Sequence, residues 1–400
     1  MERDAIVVGA GPAGAVSATL LARRGHRVLL LDKARFPRDK ICGGALSPAA
    51  LPILERIGAW PHLFPSALRL EGIRLVSPEG RSCEGRYPGG AGIPTYGLSL
   101  SRLSFDDGLV QLARREPTLE FRDGTAAQEL LWQGDRCVGV RTSEGPVFSR
   151  VVLLAEGRFS KLHPALFRHP LARKRRVFVA SFEGVERLDR LLELIVPRAG
   201  LQLVLNPQGA TRAAIALVST GSDAPRLGAA PVEGFLRLLR EEPALQRRLR
   251  EAFPVGPLHG LCLDPYQGEA LPADGLVVLG DALRYFDPLT GQGMYRALRS
   301  AELASDVLGA ALRDRLPTRQ RLAPYRLAME REFRWAYVFA RTVARLTQSE
   351  RAMNLAVRAL STQASLADRM AAYQGASLAP QRFFLDLFRL AALPLRWPGR

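Results

Sequence analysis

The chain opens on an unbroken apolar run. Ala5-Ile6-Val7-Val8 follow Asp4, a stretch that predicts a strand over 4–8 buried on both faces. After a Gly-rich turn, residues 12–24 carry Ala, Val and Leu at helical spacing. Gly25 stands where a helix C-terminus favours glycine. Residues 27–32 (Arg-Val-Leu-Leu-Leu-Asp) predict a second strand. Strand, helix and strand follow so closely that the two strands are expected to be parallel.

Beyond this unit the pattern changes. Residues 50–100 are irregular and rich in Pro and Gly, with strands near 68–77. A helix is predicted over 103–115, entered at Ser104 and carrying Leu109, Leu112 and Ala113. Strands follow near 127–132, 136–142, 147–154 and 176–183. Residues 201–218 read as strand around a turn at Asn206-Pro207-Gln208-Gly209, and 231–252 as helix. A strand over 276–279 leads into Gly280-Asp281. From 296 to 373 the pattern is helical and Arg-rich, with breaks expected at Pro317 and Pro324. The tail from Pro380 to Pro398 has a helical stripe at 383, 387, 390 and 394. It reads as a helix packed on the core, with a membrane-surface or lipid-substrate contact as the alternative.

Composition narrows the function classes. With 400 residues, 47% hydrophobic and 24% charged, the chain suits one large or two interleaved globular domains. The net charge of +17 invites a polyanion reading. Yet Lys33, Lys40, Lys161 and Lys174 are the only lysines, and the arginines are scattered along the whole chain. Nucleic acid is therefore not expected; an acidic partner or an anionic lipid surface fits better. The tightest basic cluster, Arg173-Lys174-Arg175-Arg176, reads as a solvated loop. Cys42, Cys83, Cys137 and Cys262 lack metal-ligand spacing, so no metal is expected. His62, His163, His169 and His259 fall in no motif and are assigned no role. No leader peptide or membrane-spanning run is visible. The expected location is cytoplasmic, with peripheral membrane contact as the alternative.

The candidate chemistry begins at Gly9-Ala10-Gly11-Pro12-Ala13-Gly14. Gly9 permits a tight strand-to-helix turn, Gly11 lets a pyrophosphate approach the backbone, and Gly14 allows close helix–strand packing. The helix N-terminus offers N–H groups and partial positive charge, and Pro12 suits its first turn. Asp32, followed by Lys33, closes the second strand, where a carboxylate can accept ribose hydroxyls. This much says dinucleotide.

Three distant segments extend the reading: Phe36-Pro37-Arg38-Asp39-Lys40-Ile41-Cys42-Gly43-Gly44, then Ser101-Arg102-Leu103-Ser104-Phe105-Asp106, and Gly280-Asp281-Ala282 with Asp287-Pro288-Leu289-Thr290-Gly291-Gln292-Gly293-Met294. With them the sequence resembles the p-hydroxybenzoate hydroxylase superfamily, and within it the geranylgeranyl reductase family. The resemblance implies FAD as cofactor, with NAD(P)H or another reductant as electron donor. It implies that Lys40, Cys42, Gly43 and Gly44 run beside the flavin, with Cys42 near the isoalloxazine ring as the candidate catalytic residue, and that Arg102 reaches FAD. It further places Gly280 and Asp281 at the ribityl chain, and Pro288, Gly291, Gly293 and Met294 at the flavin pyrimidine. The last segment makes physical sense alone, because Asp281 follows a strand end, where α/β sheets bind ligands.

Two departures bear on function. Glu156-Gly157 stands where the superfamily often has Asp-Gly. The family's Tyr-x-Trp-x-Phe-Pro strand becomes Gln202-Leu203-Val204-Leu205-Asn206-Pro207, which makes Gln202, Val204 and Asn206 the candidate substrate contacts and removes every aromatic. The matching halogenase strand, Trp-x-Trp-x-Ile-Pro, is absent too. The expected function is flavin hydride chemistry on an apolar isoprenoid-like or polyketide-like substrate. The alternatives are an FAD monooxygenase of an aromatic substrate, free or tethered to an acidic carrier or protein, a flavin halogenase, and a flavin-binding protein without turnover.

The expected fold is α/β (α+β overall). A Rossmann-like FAD-binding domain is assembled from 1–60, 100–165 and 260–325. A mostly antiparallel β-sheet substrate domain from 61–99 and 166–259 interleaves with it, and 326–400 forms a helical C-terminal region.

Overall fold

A computed structural model of the chain describes residues 3–60, 64–65, 67–162, 169–170, 175–219, 231–263, 266–271, 273–285, 288–313, 316–379, 381–383 and 385. His62, His163, Asp287, and the tail positions Phe384, Leu387, Phe388, Leu390, Leu393, Leu395 and Trp397 lie outside the described residues.

The opening apolar run is strand Arg3–Val8, parallel to Val28–Leu31 across helix Pro12–Arg23. Strand Leu119–Arg122 extends the sheet on one side and Gly145–Leu154 on the other. Leu276–Val278 then pairs in parallel with the end of Gly145–Leu154. Helices cover these strands, so continuous apolar runs rather than alternation encode them. Gly145–Leu154 serves two sheets: its start pairs antiparallel with Arg136–Thr142, which continues to Ala127–Gln133. The C-terminal ends Val8, Leu31, Leu154 and Val278 share one edge, where open α/β sheets bind ligands.

The second large sheet runs Phe253–Pro254, Arg175–Glu183, Ala213–Ser219, Leu201–Pro207, Leu191–Arg198, Gly72–Val76, Ser82–Arg86, with His259–Leu263 also on Arg175–Glu183. Only Leu191–Arg198 with Gly72–Val76 is parallel. Leu201, Leu203 and Leu205 point into a core with Phe235, Leu239, Leu245 and Leu249. By the twofold period of a strand, Gln202, Val204 and Asn206 face the other way.

Several expectations change here. The turn in 201–218 lies beyond Pro207, closed by Gln208 N–H donating to the Arg212 carbonyl, while Asn206 and Pro207 stay paired in the strand. Helix 231–252 divides into Pro231–Arg240 and Pro243–Gln246, because Glu242 precedes a proline and turns extended. Strand Leu191–Arg198 was not expected, since Glu193 interrupts its apolar run; the carboxylate is buried against Arg248. The 50–100 segment holds helix Leu51–Arg56 and strands Ser82–Arg86 and Gly97–Ser99. The helix read from Ser104 starts at Arg102, capped by Ser101. Arg175 is no solvated loop residue but a buried strand residue bonded to Gln202.

The C-terminal helices are Gly293–Ala311, Arg319–Leu346, Glu350–Ser361 and Ala364–Gln374. Pro317 separates the first two, but Pro324 sits inside Arg319–Leu346. An interior proline costs a helix about 3 kcal/mol; burial of Leu322, Tyr325, Met329 and Phe333 in the core offsets that cost. No described helix is long and apolar enough to cross a membrane.

Candidate functional site

At the strand-edge turn Gly9 has φ +101°, left-handed backbone that favours glycine. A Cβ on Gly14 would lie 1.8 Å from the Gly9 carbonyl oxygen. A Cβ on Gly11 would meet only Arg38 Nη2, at 3.7 Å, so the space above Gly11 is open. Helix Pro12–Arg23 has no capping side chain and no acidic residue in its first turn. The N–H groups of Ala13 and Gly14 therefore face that space as an anion cradle.

Asp32 is buried beside it. Its Oδ2 accepts from Ala10 N–H at 2.8 Å, and its Oδ1 from Ala34 N–H at 2.9 Å. Each oxygen keeps acceptor capacity for a ribose hydroxyl. Lys33, next in sequence, is exposed. Arg38 joins two carboxylates: Nη1 donates to Asp106 at 2.8 Å, and Nη2 lies 3.5 Å from Asp32. Arg102 binds the same Asp106 bidentately, both bonds 2.7 Å. Burial works against the Arg102 charge, but Asp106 outweighs it and holds the guanidinium above its ordinary pKa. Sequence reasoning left Arg38 and Asp106 outside the site. The Arg102-to-Asp106 spacing of four residues on one helix was the available signal for Asp106.

Lys40 is exposed at its surface yet ringed by protein, and a Cβ on Gly157 would lie 2.8 Å from its Nζ. The ring displaces water and Arg102 repels, so the ammonium pKa falls below the usual lysine value, against the pull of Asp281 and Asp106.

The Cys42–Gly44 loop follows. Cys42 is half-buried, its sulfur meeting Gly44 N–H at 3.5 Å and the Arg102 side chain. Gly44 has φ +81°, and a Cβ there would lie 2.4 Å from the Leu100 carbonyl oxygen; around Gly43 the space is open. Asn206 clamps this loop to the sheet: its Nδ2 donates to the Gly43 carbonyl at 2.6 Å and to Ser99 Oγ at 2.8 Å. Val204, Ile41 and Met370 are half-buried against one apolar cluster. Gln202, the third candidate substrate contact, lies deeper. It is wholly buried, and its amide joins Arg175 to the Thr347 carbonyl.

The opposite side is built from Gly280–Leu283 and the start of Gly293–Ala311. Gly280 has φ +54° and packs against Ala13. The Asp281 carboxylate makes no hydrogen bond with any described residue, while its carbonyl accepts from Tyr266. Pro288 is exposed on the turn Pro288–Thr290, and Met294 is buried in the core. Gly291 has φ +65°, and no atom crowds Gly293. Helix Gly293–Ala311 also starts with no acid and no capping side chain. Two glutamines brace this turn: Gln292 donates to the Tyr373 carbonyl at 2.7 Å, and Gln374 to the Thr290 carbonyl at 3.1 Å. Neither was legible in the sequence.

Burial raises the pKa of Glu156 above the usual carboxylate value, although Ser160 donates to it. A raised folded-state pKa contributes stability below the unfolded pKa, and that contribution is lost as pH rises through the folded value. Glu156→Gln mimics the protonated form. Its thermal midpoint should match the parent at pH 4 and exceed it at pH 7; the reverse order would show that the hydrogen bonds outweigh burial.

The cradle, the buried Asp32 carboxylate and the second helix N-terminus fit an FAD. A sequence profile described as an FAD binding domain matches residues 2–144. Digeranylgeranylglycerophospholipid reductase 1 of Methanopyrus kandleri is 30% identical over 365 residues, 86% of this chain and 91% of that protein. Menaquinone reductase of Mycobacterium tuberculosis is 28% identical over 322 residues, 76% of each chain. A flavin-dependent brominase shares the fold, with a TM-score of 0.83 at 19% identity, covering 98% of this chain and 99% of that one. Fold and relatives together define an FAD-dependent oxidoreductase. Within that class, the chain belongs to the geranylgeranyl reductase family.

Proposed function

We propose that this protein reduces a carbon–carbon double bond or quinone ring in an apolar, isoprenoid-bearing molecule. One observation carries the reading: an apolar cluster borders both cofactor loops. It holds Leu289, two residues before Gly291, with Phe339, Tyr373 and Phe383, and Ile41, beside Cys42, packs against it as do Val204 and Met370. Phe339 and Phe383 meet edge to face at 4.7 Å between centroids, and Tyr373 and Phe383 at 5.5 Å. The aromatic surface missing from strand Leu201–Pro207 is supplied instead by the C-terminal helices. The names of the two reductase relatives point the same way.

Bound FAD supplies hydride chemistry, fed by a reduced electron donor. In this reading Gly11, Ala13 and Gly14 hold the pyrophosphate, Asp32 the adenosine ribose and Asp281 the ribityl hydroxyls. Gly43, Gly44, Gly291 and Gly293 bring backbone close to the ring, and the Gly293 helix N-terminus favours negative charge there. Cys42 is the candidate proton donor, held by Gly44 N–H and Arg102; the apolar cluster excludes water. The division into a flavin unit (1–60, 100–165, 260–325), a substrate sheet (61–99, 166–259) and a helical region (326–400) belongs to the same reading. It is supported by separate cores, one centred on Ile6, Leu30 and Leu298, the other on Phe182, Leu205 and Phe235.

The test is anaerobic. Dithionite-reduced holoenzyme, freed of excess reductant, is mixed with a polyprenyl quinone or a geranylgeranyl lipid. Recovery of oxidised flavin absorbance with a reduced product is expected. Failure of every such substrate to reoxidise the flavin, together with substrate-stimulated O₂ uptake and a hydroxylated product, would replace the reading with the monooxygenase one.

A further inference from the structure

Helix Arg319–Leu346 has two unlike sides. Its buried side carries Phe333, Tyr337, Phe339 and Val343, the last two in the apolar cluster that borders the cofactor loops. On its outer side Leu327, Arg331, Arg334, Val338, Arg341 and Arg345 recur at alternating spacings of four and three. At 3.6 residues per turn they fall within an arc of about 80° and run for about 27 Å. The four arginines and Leu327 are exposed. None of the four makes an ion pair with a described residue, whereas Arg326 beside them pairs with Glu330. Arg334 stacks on Trp335 at the edge of the arc, 5.9 Å from the ring.

We propose that this stripe docks the enzyme on an anionic phospholipid bilayer. Repulsion among four unpaired guanidinium groups in a row is relieved by a surface of phosphate-bearing lipids. Juxtamembrane arginines contribute additively to such binding. Leu327 and Val338 within the stripe and Trp335 at its edge suit the headgroup–acyl boundary. They favour a bilayer over nucleic acid, whose backbone offers them no apolar contact. Docking in this way holds the apolar cluster, on the far side of the same helix, within about one helix diameter, 10–12 Å, of the lipid that would hold an isoprenoid substrate. The inference rests on the proposed lipid-type substrate for its purpose, but not for its test.

The test uses FAD-loaded full-length protein and flotation with vesicles. One set is phosphatidylcholine alone, the other contains about one-third phosphatidylglycerol. Binding is expected only to the anionic set, and is expected to vanish near 1 M salt, where charges are screened beyond about 3 Å. Changing Arg331, Arg334, Arg341 and Arg345 together to Gln should weaken vesicle binding by roughly tenfold or more, with flavin absorbance unchanged. Changing Arg81, Arg115, Arg247 and Arg250 to Gln removes the same charge elsewhere and should leave binding close to the parent's. Equal loss in both variants, no anionic-vesicle binding, or stripe-dependent binding of single-stranded RNA without vesicle binding would each overturn the proposal. Turnover of a detergent-solubilised polyprenyl quinone separates the two readings. Turnover without vesicle binding ends the docking proposal alone; stripe-dependent vesicle binding without turnover ends the substrate reading alone.

Discussion

Gly14→Ala is expected to yield protein without flavin and with a thermal midpoint lower by several degrees. The new methyl would sit 1.8 Å from the Gly9 carbonyl oxygen, and the Ala155 side chain lies 3.2 Å away on the other side. Both walls are part of the sheet and its turn, so the helix must move off the strand. Gly11→Ala makes the informative contrast. Its methyl meets only Arg38 Nη2, at 3.7 Å, an ordinary van der Waals distance, so the apoprotein should fold and melt like the parent. The same methyl stands where the pyrophosphate approaches the backbone. Overpacking of that kind costs about 1–3 kcal/mol, about fivefold to 150-fold in FAD affinity. Flavin-to-protein absorbance after purification and titration of the apoprotein with FAD check both. Full flavin occupancy in Gly14→Ala would show that the turn is not the phosphate cradle.

The second large effect is at Asp106. Its side chain is fully buried and is the shared counter-ion of Arg102 and Arg38. Asp106→Asn preserves the shape but leaves the buried Arg102 and half-buried Arg38 guanidinium groups facing a neutral amide. Removing one partner of a buried ion pair costs about 3–5 kcal/mol, and the acceptor oxygen that remains places Asn at the low end. Arg38 and Arg102 also lose their anchor, so FAD affinity should fall with stability. Arg326→Gln, which breaks an exposed pair with Glu330, should change stability by no more than about 0.5 kcal/mol. Thermal melts of the apoproteins and FAD titration measure both. Equal effects would mean that water, not Asp106, satisfies the arginines.

How much of the site was legible depended on how far apart its partners lie in the chain. Gly9, Gly11, Gly14 and Asp32 belong to one local strand–helix–strand unit; backbone sterics demand glycine at Gly9 and Gly14, while Gly11 keeps the space above the turn open. Arg38 has no legible role in the sequence, because a loop arginine is as easily solvated as bound until Asp106 and Asp32 are seen around it. Asn206 and Gln202 share one strand and one residue class, yet Asn206 reaches the Cys42–Gly44 loop at the Gly43 carbonyl and Gln202 is sealed against Thr347. Strand Leu191–Arg198 was hidden by Glu193, whose compensating Arg248 lies 55 residues away.

The amino-acid sequence by itself determined the dinucleotide turn, the parallel start of the first sheet and, through distant motifs, the flavin family. These depend on φ angles, helix ends and apolar periodicity, which act over a few residues. Tertiary structure alone decided which charges are paired, which polar side chains are clamps, and where the aromatic wall comes from. Phe339, Tyr373 and Phe383 lie on separate segments, and only packing of the C-terminal helices on the second sheet brings them to the loops at Ile41 and Leu289. Burial and counter-ions are properties of the surroundings, and the chain supplies them only once it has folded.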